Sequence, residues 1–248
     1  MSGHSKWHRI KHQKQKEDKK KGKIFSKLSK KIAVAARKGK DPEKNLDLKH
    51  AISEAQDNDM PKENIERAIL KGSGELSGVE YVETTYEGYG PGGVALFIEC
   101  TTDNKNRTTA DIRHILEKYG GKLGSKGCVS YLFEEKGLIF VPVDDVSETE
   151  VYDAAIESEA LDIKKEEDIY EIQTEPDELH KVHKSLEGKN IPIQGFELTC
   201  ISKVEKNLEG NEARRLLKLL SELEDHDDVQ KVYSNFNIPD SIMAEMGS

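Results

Sequence analysis

Three histidines stand four residues apart near the start of the chain, His4, His8 and His12, within GHSKWHRIKHQKQKEDKKKGK at 3–23. On a helix this spacing puts three imidazoles on one face, and neutral imidazole is a good ligand for zinc, copper or nickel. The surroundings oppose that use. HExxH does not occur, no carboxylate lies among residues 3–12 to orient a ring, and the crowded lysines repel a divalent ion. No metal and no cofactor are therefore expected. The lysines themselves point to another chemistry, the gripping of a polyanion. The first 40 residues carry 15 Lys and Arg against 2 Asp and Glu, or +13. Cations at this density meet phosphates and release their counterions, which makes binding strong and salt-sensitive. Trp7, the one tryptophan, can stack on an unpaired base.

The candidate nucleic-acid contacts are Lys6, Trp7, Arg9, Lys11, Lys14 and Lys16 in this basic arm. Lys27, Lys30, Lys31, Arg37 and Lys38 on the helix that follows complete the set. The rest of the chain has the opposite sign. Residues 1–76 sum to +9 and residues 77–248 to −18, within a net charge of −9 over 248 residues. That asymmetry describes a polyanion-binding end on an acidic body.

Other constellations are weaker. The glycine loops GYGPGG (88–93) and YGGKLGSKG (119–127) match neither GxxxxGK[ST] nor GxGxxG after a strand, so they read as turns, with Lys122 and Lys126 free to meet a phosphate. DNKNRTTADIR places Asp103, Asn104, Asn106 and Arg107 where a strand meets a helix; capping by Asn or Asp is favoured over anion binding by Arg107. No GxSxG and no defensible Ser-His-Asp order occurs, and His180 and His183 read as surface residues. Cys100, Cys128 and Cys200 are odd in number, widely spaced and without CxxC, which fits a reducing cytosol. Cys128 reads as a small core residue. The chain is not expected to be an enzyme. It has no run of 18 apolar residues and no secretory signal, so it is expected in the cytoplasm, away from membranes.

The elements that must hold these groups follow from periodicity. Ile24, Leu28, Ile32, Ala35 and Ala36 form a helical stripe over 24–38; Leu48, Ala51, Ile52 and Ala55 form a second, and Ile65, Ala68 and Ile69 a third. Beyond GSGELSG the pattern turns to alternating strands and interleaved helices. The fold class is α+β: an N-terminal three-helix domain over 1–76, then two ferredoxin-like α+β domains. One is discontinuous, 77–133 plus 204–240, and the other, 134–203, is inserted in it. The first sheet is expected to use strands at 79–86, 94–101 and 129–133 with the C-terminal strand, and GLIFVPV a separate strand after them.

GHSKW with IKH (3–12), KIFSKLSKKIAVAAR (23–37), DMPKENIERAI (59–69), YEGYGPGGVALFIECTTDNKNRT (86–108) and GGKLGSKGCVSYLF (120–133) together resemble the YebC/PmpR family, which includes the mitochondrial translational activator of cytochrome c oxidase. The resemblance runs nearly end to end. It departs at Cys128, where the family usually has Ser, and at His8 and Arg9. It implies three domains, one of them formed discontinuously, and a cytoplasmic nucleic-acid-binding protein with no settled catalytic residue. By position the match covers Lys6, Trp7, Lys11, Lys27, Lys30, Lys31 and Arg37. The family implies a DNA-binding transcriptional regulator. The alternative is a ribosome- and RNA-binding translation factor that relieves stalling. A small-molecule enzyme using an interdomain cleft is the least favoured of the three. The third helix, NIERAILKG, offers few base-reading side chains, which leans toward structured RNA or non-specific binding.

Overall fold

The structure is a computed structural model that describes residues 18–166, 168–239 and 241–243, with side chains from residue 21 onward. Three helices come first: α1 (Asp18–Ala36), α2 (Leu46–Asp57) and α3 (Lys62–Gly72). Their apolar stripes meet in one core containing Leu28, Ile32, Leu48, Ala51, Ala55, Ile65 and Ala68. Asn45 starts α2 twice over. Its side-chain oxygen accepts from Leu48 N–H, and its amide donates to the carbonyls of Ala35 and Gly39 at the end of α1. At Gly72 a Cβ would lie 2.1 Å from the Ala33 carbonyl oxygen, so glycine is what lets α3 close on α1.

The chain then enters a four-stranded sheet through β1 (Val82–Tyr89) and β2 (Ala95–Thr102), followed by α4 (Lys105–Lys118) and the short β3 (Lys122–Leu123). It leaves through the long β4 (Phe133–Pro142), α5 (Glu148–Glu157), β5 (Asp162–Lys165), β6 (Ile169–Thr174), α6 (Leu179–Gly188) and β7 (Gly195–Ser202). These form a second four-stranded sheet with order β5-β6-β4-β7. It returns through β8 (Lys206–Asn207), α7 (Gly210–Glu224), β9 (Val229–Ser234) and β10 (Phe236–Asn237). β9 pairs with β2, which gives the first sheet the order β3-β1-β2-β9, and β8 pairs with β10. The second sheet follows the β-α-β-β-α-β path of ferredoxin-like folds. The first reaches the same two-layer form from a hairpin.

Each sheet covers one face with its helices. On β2, Leu96, Ile98 and Cys100 face Ile112, Leu116, Leu216 and Leu220 of α4 and α7. Ile139, Val141, Tyr170 and Ile172 face Val151, Val182 and Leu186 in the second. Among the described residues no helix is long and apolar enough to cross a membrane.

Two expectations change here. Residues 129–133 do not supply a strand to the first sheet. Ser130–Leu132 is one 3-10 turn, and the edge position goes to Lys122–Leu123. The amides of Val129 and Ser130 donate to the Glu87 carboxylate, so they are not offered to a ladder. GLIFVP is not a separate strand either, because β4 runs through Gly137 without a break. A Cβ at Gly137 would meet Thr174 Oγ1 at 2.3 Å and Leu179 at 2.9 Å, so this glycine admits α6 and does not turn the chain. His180 is exposed, as a surface reading expects, and His183 is half-buried. The His180 ring lies 5.2 Å from that of His50 on α2, and His183 lies 4.2 Å from Phe196.

Candidate nucleic-acid interface

Of the eleven expected contacts, Lys6, Trp7, Arg9, Lys11, Lys14 and Lys16 lie outside the described residues. The other five are on α1 or just after it, and the structure divides them into two kinds.

Lys23, Lys27 and Lys30 form one face of α1 at spacings of four and three, and that face meets the end of α7. Lys27 Nζ donates to the Glu224 carbonyl at 2.5 Å, and Lys23 Nζ to the Asp225 carbonyl at 3.2 Å. Lys30 Nζ donates to the Asp227 carbonyl at 2.9 Å and to Asp228 Oδ1 at 2.7 Å. The Glu224 and Asp225 carbonyls lie at the negative end of the helix dipole, which is where cations are stabilised. Asp228 is the centre. Its other oxygen accepts from Arg107 Nη2 at 2.8 Å, Thr108 Oγ1 at 2.8 Å and Thr102 Oγ1 at 3.2 Å. Arg107 also reaches Asp103 at 2.7 Å. Burial works against ionising Asp228, but Lys30, Arg107 and Thr108 outweigh it and hold the carboxylate well below its usual range. Lys30 is itself buried. A phosphate that took Lys30 would have to draw it away from a buried carboxylate.

Lys31, Arg37 and Lys38 belong to the second kind. Lys31 pairs with Glu54. Arg37 pairs with Glu80 and donates to the Tyr81 carbonyl at 2.8 Å. Lys38 lies 2.6 Å from Asp47. These pairs are solvent-exposed, and exposed pairs are worth at most about 1 kcal/mol, so a phosphate can compete for the cation. Of the three candidate caps, Asn104 starts α4 by accepting from Arg107 N–H, while the Arg107 guanidinium turns to Asp228.

The loop after α4 is built around Glu87. This carboxylate is buried on β1 and accepts from the amides of Gly127 at 2.7 Å, Val129 at 2.8 Å and Ser130 at 2.8 Å. Burial pushes its pKa up, the three amides and Ser130 push it down, and the amides win. Tyr89 adds a hydrogen bond from its hydroxyl to the Cys128 carbonyl at 3.0 Å. The loop so held presents Lys122, Lys126 and Tyr131 to solvent. Burial raises Cys100 to about 12 and Cys200 to about 11, so neither is a thiolate at neutral pH.

The arrangement is a helical module clamped by its lysines onto an acidic body, and the comparisons with known proteins match both parts. Residues 5–75 match the model of the TACO1/YebC protein N-terminal domain. Residues 81–236 match that of the TACO1/YebC second and third domain. The chain belongs to the TACO1/YebC family. A probable transcriptional regulatory protein of Sulfurihydrogenibium sp. (strain YO3AOP1) is 54% identical over 99% of this chain and 99% of its own length. One of Persephonella marina is 54% identical over 99% of this chain and 100% of its own. One of Aquifex aeolicus is 50% identical over 100% of both. The crystal structure of a conserved hypothetical protein from Aquifex aeolicus superposes with a TM-score of 0.79 at 48% identity, covering 90% of this chain and 93% of that one. For this TACO1/YebC chain, sequence reasoning left Asp103, Asn104 and Asn106 open as the cap, which Asn104 fills, and missed the Asp228 clasp. No local pattern pairs Lys30 with a residue 198 positions away.

Proposed function

We propose that this chain is a cytoplasmic nucleic-acid-binding regulator of gene expression that acts on transcription through its N-terminal region, with no catalytic step of its own. The observation that carries this reading is the gathering of positive charge at one end, +13 in the first 40 residues against −18 over 77–248. The naming of its relatives as transcriptional regulatory proteins supports it. In this reading Lys6, Arg9, Lys11, Lys14 and Lys16 meet phosphates, Trp7 stacks on a base, and Lys31, Arg37 and Lys38 exchange their exposed carboxylate partners for phosphate. Lys23, Lys27 and Lys30 keep the helix they share fixed to the body.

The test is duplex-DNA binding by fluorescence anisotropy across a salt series, comparing the native chain with a variant carrying Glu at 6, 11, 14 and 16. The expected result is a linear fall of log affinity with log salt, with a slope that shrinks by roughly 0.9 for each phosphate that is no longer neutralised. An unchanged slope overturns the reading. Lys30→Glu is unsuitable as a probe because it would break the Asp228 cluster.

A second reading, an RNA- and ribosome-binding translation factor, is favoured by α3. Its apolar face is buried through Ile65 and Ala68, and its exposed positions mix Lys62 and Arg67 with Glu63 and Glu66. That mixture suits major-groove reading poorly. Co-sedimentation with ribosomes at a salt concentration that releases duplex DNA would favour it over the transcriptional reading.

A further inference from the structure

The first sheet has a second face, turned away from α4 and α7 and partly covered by α1 and β7. Along β2, Phe97, Glu99 and Thr101 point away from the core, opposite Glu87, Thr85 and Glu83 on β1, with Tyr233 and Lys231 of β9 opposite Phe97 and Glu99. At one end of this face lies a groove of about 560 Å³. Lysines from four separate elements border it: Lys31 from α1, Lys105 from the first turn of α4, Lys126 from the Glu87-held loop and Lys231 from β9. Thr85, Thr101 and Gln230 supply hydroxyls and an amide between them.

Three observations show that these groups are not fully used within the protein. The ammonium groups of Lys105 and Lys126 have no hydrogen-bond or ion-pair partner among the described residues, and both side chains are exposed. Gln230, which lines the groove, has its Nε2 buried with no acceptor among the described residues, a state that costs about 1–3 kcal/mol. Two of the three glutamates on the groove are weakened as repellents: Lys31 pairs with Glu54, and burial raises the Glu99 pKa. Glu83 remains as the exposed carboxylate. On an acidic body this leaves a local excess of cation.

Phe97 is packed 6.0 Å from Phe133 of β4 and 6.1 Å from the buried Tyr233, so these rings close the rest of the face between the two sheets. The exposed ring near Lys126 in sequence is another. Tyr131, on the loop that carries Lys126, is 66% exposed. Lysines that track phosphates beside rings that accept bases are the elements of single-strand recognition. A concave groove of this volume holds a small ligand and excludes a duplex.

We propose that this groove binds a short single-stranded nucleic-acid segment, with Lys105 and Lys126 on backbone phosphates, Gln230 donating to the sugar-phosphate chain and Tyr131 stacked on a base. The proposal rests on the nucleic-acid reading and deepens it, but its contacts, Lys105, Lys126, Gln230 and Tyr131, are not those of the arm, so each can fail alone. The test uses the full chain and fluorescein-labelled oligouridylate and oligothymidylate of a dozen nucleotides, with duplex DNA as the third probe. The double variant Lys105→Glu, Lys126→Glu is expected to lose at least about tenfold in single-strand affinity and to flatten the salt slope by roughly 1.4, about 0.7 per phosphate. Duplex binding is expected to hold within about twofold. Tyr131→Ala is expected to lose about fivefold or more on single strands, the lower end for one missing stack. Both changes lie on exposed side chains, and an unchanged thermal midpoint confirms the fold. Tighter binding of the uridylate assigns the groove to RNA, and tighter binding of the thymidylate assigns it to single-stranded DNA. Unchanged single-strand affinity, equal losses on all three probes, or no single-strand binding by the native chain overturns the proposal. Loss of duplex binding in the arm variant with intact single-strand binding leaves it standing.

Discussion

The lysine row of α1 and the lysines around the groove are the same residue type in the same chain, with opposite uses. Lys23, Lys27 and Lys30 are turned inward onto carbonyls and a buried carboxylate. Lys105 and Lys126 stand exposed with no partner among the described residues. The difference lies in what the fold places opposite each. The end of α7 offers C-terminal carbonyls and Asp228, a fixed negative site that a lysine on a packed helix can fill. The groove offers hydroxyls, an unpaired amide and room. Positive charge alone therefore does not mark a binding surface; what the fold places opposite each cation decides whether it is spent inside the protein.

The largest effect is expected at the inward cluster. Asp228→Ala leaves Lys30 buried and removes the shared acceptor of Arg107, Thr102 and Thr108. It should destabilise the protein by about 3–5 kcal/mol, read as the urea midpoint. A loss no greater than that of an exposed pair would erase the distinction between the two lysine groups.

A smaller effect is expected at Glu87, which orders the loop carrying Lys126 and Tyr131. Glu87→Gln should cost about 1–3 kcal/mol, because an amide cannot accept from three N–H groups as a carboxylate does. Hydrogen exchange at Gly127, Val129 and Ser130 should quicken more than exchange in the two sheets. The pH dependence has a definite sign. Glu87 and Asp228 have folded-state pKa values below their unfolded ones. The folded chain thus binds fewer protons, and the stability they contribute is complete above the unfolded values, near about 4, and lost as pH falls through the folded ones. Urea unfolding should show no loss from these groups between neutral pH and about 5, then a decline that Glu87→Gln makes shallower. A native decline that Glu87→Gln leaves just as steep would remove Glu87 from the account.

The smallest effect is expected at the exposed pairs. Lys38 is held by hydrogen bonding and attraction to Asp47, which raise its pKa, yet it is fully exposed. Lys38→Ala should leave the thermal midpoint unmoved while weakening duplex binding. A clear drop in midpoint would place Lys38 with the inward group.

What the sequence by itself determined is local in origin. The stripe Leu28, Ile32, Ala35 and Ala36, the cap at Asn104 and the leucine face of α7 all follow from side chains within a few residues of one another, and the structure buries or bonds each accordingly. The α+β class followed from the same periodicities, and the charge division from counting. Tertiary structure decided the rest, because it turned on partners distant in the chain. A lysine on a helix has the same local pattern whether it faces water or Asp228. GLIFVPV reads as a separate strand until β4 is seen to run through Gly137, whose missing Cβ makes room for α6. Val129 and Ser130 read as strand until Glu87, more than 40 residues earlier, takes their amides. The groove joins α1, α4, a loop and β9, and only packing brings those four together.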